Sequence, residues 1–133
     1  MNTASAPARP DAETDLQSWS RGLFAAIDAR DIEGFLGFLA ADASFAFANF
    51  PPAQGAAAIS ATLEGFFAQV RSLRHTVEDA WRVPGHVVCR GSVQYTRRDG
   101  GVVAMPFCNV LGMAEGRVQD YRIYIDPAPL LAP

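Results

Sequence analysis

The sequence predicts an α+β fold in which a strongly curved antiparallel sheet wraps around three helices from the N-terminal half, giving a cone with an internal pocket. Three observations predict it. The first half of the chain carries helical periodicity and the second half alternates with period 2, and helices segregated from an antiparallel sheet define this class. Two tight-turn signals, Asp99-Gly100 and Glu115-Gly116, each lie between alternating runs, so Arg90 to Asp126 reads as three strands joined by hairpins. With 133 residues, 50% hydrophobic and 19% charged, the chain is one domain with a real core and is not wholly disordered.

Residues 1–13, small, polar and Pro-containing, are expected to form a flexible N-terminal arm, and residues 14–133 a single domain. The arm lacks the apolar stretch of a signal peptide, so a cytoplasmic location is expected. No apolar run approaches the roughly 18 residues that span a bilayer, so no membrane partner is expected. Thr14 with Gln17 makes a capping box, and Leu16, Trp19, Leu23 and Ile27 follow as one helical stripe. Asp31 caps a short second helix whose Phe35, Leu36 and Leu39 face the core, with Gly34 and Gly37 weakening it. Residues 42–50 read as a strand with Phe45, Phe47 and Asn49 on one face, ended by Pro51-Pro52. A third helix over 55–70 carries Ile59, Leu63, Phe66, Phe67 and Val70. In residues 73–83, Leu73, His75, Val77, Asp79 and Trp81 face inward. Pro84-Gly85 then turns the chain into a strand over 87–97.

If each hairpin has a two-residue loop, Arg98 faces Gly101 and Ala114 faces Arg117. Counting back gives the rows Arg90, Asn109, Arg122; Ser92, Phe107, Tyr124; and Gln94, Met105, Asp126, all on one face. Its mixture of polar and apolar groups suits a ligand cavity. The opposite face, with Cys89, Gly91 and Pro106 among apolar neighbours, would leave a patch on a monomer. A two-fold homodimer packed through Val93, Cys108, Val110, Tyr121, Ile123 and Ile125 would cover it. Pro106 suggests a bulge, and a bulge shifts the register by one. Cys89 and Cys108, on the same face in this register, are expected to be reduced.

The element order, with the ending Gly116-Arg-Val-Gln-Asp-Tyr-Arg-Ile-Tyr-Ile-Asp126-Pro-Ala-Pro-Leu130, resembles the nuclear transport factor 2-like (cystatin-like) superfamily over roughly residues 14–131. Within it the chain is similar to the SnoaL-like group, which includes polyketide cyclases. Ketosteroid isomerases and limonene-epoxide hydrolases share the fold, and dimers packed sheet on sheet are common. The resemblance to the epoxide hydrolases implies a Tyr-x-Asn, an Arg-x-Asp and a strand-ending Asp. Phe47-Ala48-Asn49 keeps the Asn without the Tyr hydroxyl, Arg90-Gly91-Ser92 keeps the Arg without the acid, and Asp126 ends the last strand.

Asp126 is therefore the leading candidate base, with an ion pair to Arg90 or Arg122, or a turn cap, as its structural alternative. Arg90 and Tyr124 would stabilise charge and Asn49 would position water or substrate. His75 is the next candidate base, or a satisfied core histidine. Phe47, Phe66, Trp81, Ser92, Gln94, Met105, Phe107 and Asn109 are expected to line the pocket, which suits a small apolar or cyclic organic ligand. Two distant histidines and no ligand-spaced cluster leave no expected metal, and no dinucleotide or phosphate-loop motif points to a cofactor. The net charge of −3 and the lack of a basic stripe argue against nucleic acid. The function expected is a small-molecule pocket protein, acting as a cofactor-free isomerase, cyclase or epoxide hydrolase, or as a non-catalytic ligand-binding or protein-interaction module.

Overall fold

A computed structural model describes residues 13–131, with side chains from Leu16 onward. The expected arm and the Thr14 cap lie outside the described residues and side chains. Helix α1 (Glu13–Asp28) is followed by α2 (Ile32–Leu36), β1 (Leu39–Phe47), β2 (Ala53–Gln54), α3 (Ala56–Gln69), β3 (Val70–Val83), β4 (His86–Arg97), β5 (Val102–Ala114), β6 (Arg117–Ile125) and α4 (Ala128–Leu131). The strands form one sheet in the order β2-β1-β6-β5-β4-β3. β3 to β6 are antiparallel neighbours, while β1 returns to lie parallel to β6. The α+β architecture is thus the one expected.

The helices form where the apolar spacing demands it. Leu16, Trp19, Leu23 and Ile27 of α1 are all buried, and Phe24 joins them. Asp31 caps α2 by accepting from the Gly34 amide at 2.9 Å. That helix is one turn and a half long, so Leu39 is not in it but opens β1. β1 ends at Phe47, before Asn49, because Ala48 takes φ 52° and the Phe50 amide closes a turn onto the Phe47 carbonyl. α3 buries Ile59, Leu63 and Phe67. The Arg30 guanidinium donates to the carbonyls of Phe67 and Val70, and so holds the C-terminal end of α3, where carbonyls lack helical partners.

The face assignment needs correction, and two local features account for it. The β4–β5 loop has three residues, Arg98, Asp99 and Gly100. Arg97 and Gly101 close it with a 2.7 Å bond, and Gly100 sits at φ 91°. A three-residue loop with Gly in the left-handed region is a common hairpin closure, and it moves the pairing one step from that of a two-residue loop. Cys89 therefore faces Asn109, and Val93 faces Met105. The β5–β6 turn does pair Ala114 with Arg117. A bulge then makes Met113–Val118 give way to Gly112–Asp120, so Asn109 faces Ile123 rather than Arg122. Pro106 stays in register opposite Ser92.

The inner face accordingly carries Cys89, Gly91, Val93 and Tyr95 of β4, Met105, Phe107 and Asn109 of β5, and Tyr121, Ile123 and Ile125 of β6. Arg90, Ser92, Gln94, Arg122 and Tyr124 lie outside. Of the six residues expected to form a dimer surface, only Cys108 and Val110 remain on the outer face. Val93, Tyr121, Ile123 and Ile125 point into the molecule and line its cavity. Cys89 is wholly buried and Cys108 is on the other face, so the two thiols are free and cannot be bridged.

β3 contains a further bulge between Val77 and Asp79. Leu73, His75 and Val77 face inward as expected, but the extra residue Glu78 reverses the alternation beyond it. Asp79 and Trp81 turn outward, and Trp81 is 47% exposed. Gly91 sits opposite this bulge, where an added Cβ would lie 1.9 Å from the Thr76 carbonyl oxygen. No helix among the described residues is long and apolar enough to cross a membrane.

Candidate functional site

The curved sheet, α3 and the end of α1 enclose a cavity of about 270 Å³. Its walls are mostly aromatic and aliphatic: Phe45 and Phe47 from β1, Phe66 and Phe67 from α3, Phe107 from β5, and Ile123 and Ile125 from β6. Phe50 and Leu131, both substantially exposed, also line it. Five polar side chains reach this lining: Thr62, His75, Tyr95, Asn109 and Tyr121. Few polar groups in an apolar concavity is the usual composition of a small-molecule site.

His75 is the one imidazole among them. Asp28, the last residue of α1, grips it twice. One carboxylate oxygen lies 2.7 Å from Nδ1 and the other accepts the His75 backbone amide at 2.8 Å. A carboxylate only accepts, so Nδ1 carries the hydrogen, and in the neutral ring the lone pair is then on Nε2. Nε2 has no hydrogen-bond partner among the described residues. The ring packs between Phe24, at 4.8 Å between centroids, and Phe107, at 5.3 Å edge to face. His75 also borders a second, more polar groove on the outside of α1 and β3, lined by Gln17, Arg21, Asp28 and Thr76. The dyad thus stands in the wall between an apolar interior and a wetter exterior.

A second polar pair lies further along the inner face. Asn109 is 2% exposed and its Nδ2 donates to the Tyr121 hydroxyl at 3.3 Å. Its Oδ1 has no partner among the described residues. Burial pushes the Tyr121 hydroxyl well above the ordinary phenol range, aided by the neighbouring Cys89, against a smaller lowering by the bond from Asn109. Burial raises Tyr95 in the same way, with the Asp28 charge adding to it. Both phenols stay protonated at neutral pH and keep a hydrogen to donate.

Of the expected catalytic residues, only His75 borders the cavity. Asp126 is exposed and caps the turn into α4 by accepting the Ala128 amide at 3.0 Å. Arg90 is on the outer face, paired with Glu78 at 3.1 Å and Asp79 at 2.6 Å. Tyr124 is 54% exposed on the same face, and Asn49 is exposed in the turn after β1. Of the expected pocket residues, Phe47, Phe66, Phe107 and Asn109 line the cavity. Met105 is buried in the core beside it, and Ser92, Gln94 and Trp81 face away. Sequence reasoning missed Asp28, Tyr95, Tyr121 and Thr62. An acid one residue past an apolar helical stripe, and a lone inward histidine, are each costly to bury alone, which is the signal that pairs Asp28 with His75. No group of three or more metal-ligating side chains occurs among the described residues.

The six-stranded curved sheet with helices on its concave side and a deep apolar pocket defines the nuclear transport factor 2-like class. The family model for the SnoaL-like domain matches residues 20–121, and the chain belongs to that family. No curated protein matches the sequence. One similar structure is a nuclear transport factor 2-like protein of unknown function from Burkholderia pseudomallei, at 18% identity and TM-score 0.81 over 90% of this chain and 96% of that one. A putative SnoaL-like polyketide cyclase from Jannaschia sp. CCS1 is 17% identical, with TM-score 0.77 over 99% of both chains. An LEH-like epoxide hydrolase from M. tuberculosis is 16% identical, with TM-score 0.69 over 80% of this chain and 79% of that one. At these identities the likeness carries the fold and not the chemistry.

Proposed function

We propose that this protein is a cofactor-independent acid–base catalyst that moves a proton on a small, largely apolar cyclic substrate held in the cavity, in the manner of an isomerase or cyclase. The observation that carries this reading is the double grip of Asp28 on His75, which fixes the ring and leaves Nε2 as its free basic nitrogen. Nε2 would take a proton from the carbon beside a substrate carbonyl and return it to another atom of the resulting enolate. Asp28 would face the imidazolium while the proton is held, the role of the acid in a carboxylate–histidine pair. The neutral hydroxyl of Tyr95, which lines the same cavity, would supply a donor for the enolate oxygen. The apolar wall would strengthen these interactions.

The sheltered dyad favours this over a purely binding role, since a binding pocket has no need of an oriented base. Epoxide hydration fits less well, because Asp126 and Arg90 lie outside the cavity. The test is deuterium incorporation α to the carbonyl of 2-tetralone in D2O, followed by proton NMR. The wild type should accelerate exchange over buffer, and His75→Gln should lower the rate by about 100-fold or more. Exchange equal in the two proteins would refute the assignment.

A further inference from the structure

We infer that Asn109 is a specificity residue: its buried, unpartnered Oδ1 selects ligands that present a hydroxyl to the deep end of the cavity, as one- or two-ring phenols, enols or cyclic alcohols do. This deepens the reading of the cavity as a substrate site and rests on it. Among the described residues, two buried side-chain atoms lack a hydrogen-bond partner, Trp19 Nε1 and Asn109 Oδ1, and only Asn109 lines the cavity. At 2% exposure, bulk water does not satisfy this oxygen. A buried acceptor left unpaired is a standing cost, which a ligand donor relieves and an apolar isostere does not.

The neighbour narrows the class further. The Tyr121 oxygen accepts from Asn109 Nδ2, which leaves its own hydrogen to donate. A ligand hydroxyl answers both groups at once, donating to Oδ1 and accepting from Tyr121. An ether oxygen answers only the second, and a methyl group neither. The rest of the ligand would lie along Phe107, whose ring touches His75 and which is the inward residue before Asn109 on β5. Phe107 and Asn109 are successive inward positions of β5, ~7 Å apart, so a ring whose hydroxyl meets Oδ1 lies against Phe107.

The experiment is a fluorescence titration of the full chain with three probes of the same ring system: 2-naphthol, 2-methoxynaphthalene and 2-methylnaphthalene. The expected result is that 2-naphthol binds about tenfold or more tightly than either of the others. In Asn109→Leu the 2-naphthol affinity should fall to that of 2-methylnaphthalene. Equal binding of the three by the wild type, equal binding of 2-naphthol and 2-methoxynaphthalene, or no binding by any of them would overturn the proposal. The wild-type series decides this even if the variant does not fold. The binding series is read without turnover and the proton-transfer reading by deuterium exchange, so the failure of one and the failure of the other give different results.

Discussion

Asp28 and His75 illustrate how polar residues end inside an apolar wall without being orphaned. Each alone would be expensive to bury. Together they satisfy a ring nitrogen, a backbone amide and both carboxylate oxygens. The two cysteines differ more simply. Burial, with a smaller contribution from Cys108, pushes the Cys89 thiol up to about 12. Native protein at pH 8 should therefore react with a thiol reagent at Cys108 and not at Cys89, and denaturation should release the second thiol. Two fast-reacting thiols in the native state would contradict the inward placement of Cys89. At Asp120, burial raises the carboxyl, but bonds from Ser44 at 2.7 Å and Arg122 at 2.8 Å outweigh it, and the net shift is downward. A depressed carboxyl contributes stability above its unfolded value, and that stability is lost as pH falls through the folded value. Ser44→Ala should therefore lose less stability than wild type between about pH 5 and pH 3, which denaturant unfolding at the two pH values measures. An equal or larger loss would assign the Asp120 shift to another cause. Residue identity made His75, Phe107 and Asn109 legible as candidates. Residue identity alone did not mark Asp28 as the partner, because 47 residues separate it from His75 and only the cost of burying each alone links the two.

The sequence pattern located eight of the ten elements of the described residues, leaving out the short β2 and α4 beside the proline pairs, and the misreadings of face arose where single residues alter the pairing. Hydrophobic spacing located α1, α2 and α3 to within a few residues, and the turn residues located both hairpins. Asp99-Gly100 is compatible with two loop lengths. The Asp99 side chain accepts the Gly101 amide at 2.9 Å within the longer one. Because strand faces alternate with period 2, that one residue moved Arg90, Ser92 and Gln94 outside. The bulge at Gln119 did the same to Arg122, Tyr124 and Asp126, and no proline or glycine in β6 announced it. Met105, Phe107 and Asn109 were placed correctly because β5 is the strand against which both slips were made. The bulge in β3 has a sequence mark only in its partner, Gly91. Gly91→Ala should destabilise the fold by about 3 kcal/mol, since the Thr76 carbonyl leaves no room for a methyl group. Denaturant unfolding gives the value, and a cost under about 1 kcal/mol would mean the bulge relaxes freely.

For the molecule as a whole, the register decides what the cavity contains. With the pairing of the structure, the polar outer face carries the Arg90–Glu78–Asp79 cluster, and the interior presents one imidazole and a few neutral polar groups in an apolar shell. With the alternative pairing, Asp126 and Arg90 would have faced the cavity as the candidate pair. The two arrangements predict opposite outcomes in one assay, the exchange of the α-protons of 2-tetralone in D2O by wild type, His75→Gln and Asp126→Asn. If the dyad in the cavity wall is the base, His75→Gln loses the accelerated exchange and Asp126→Asn retains it within about twofold, as expected for a residue that caps an exposed turn. Loss of exchange in Asp126→Asn with full activity in His75→Gln would contradict the account.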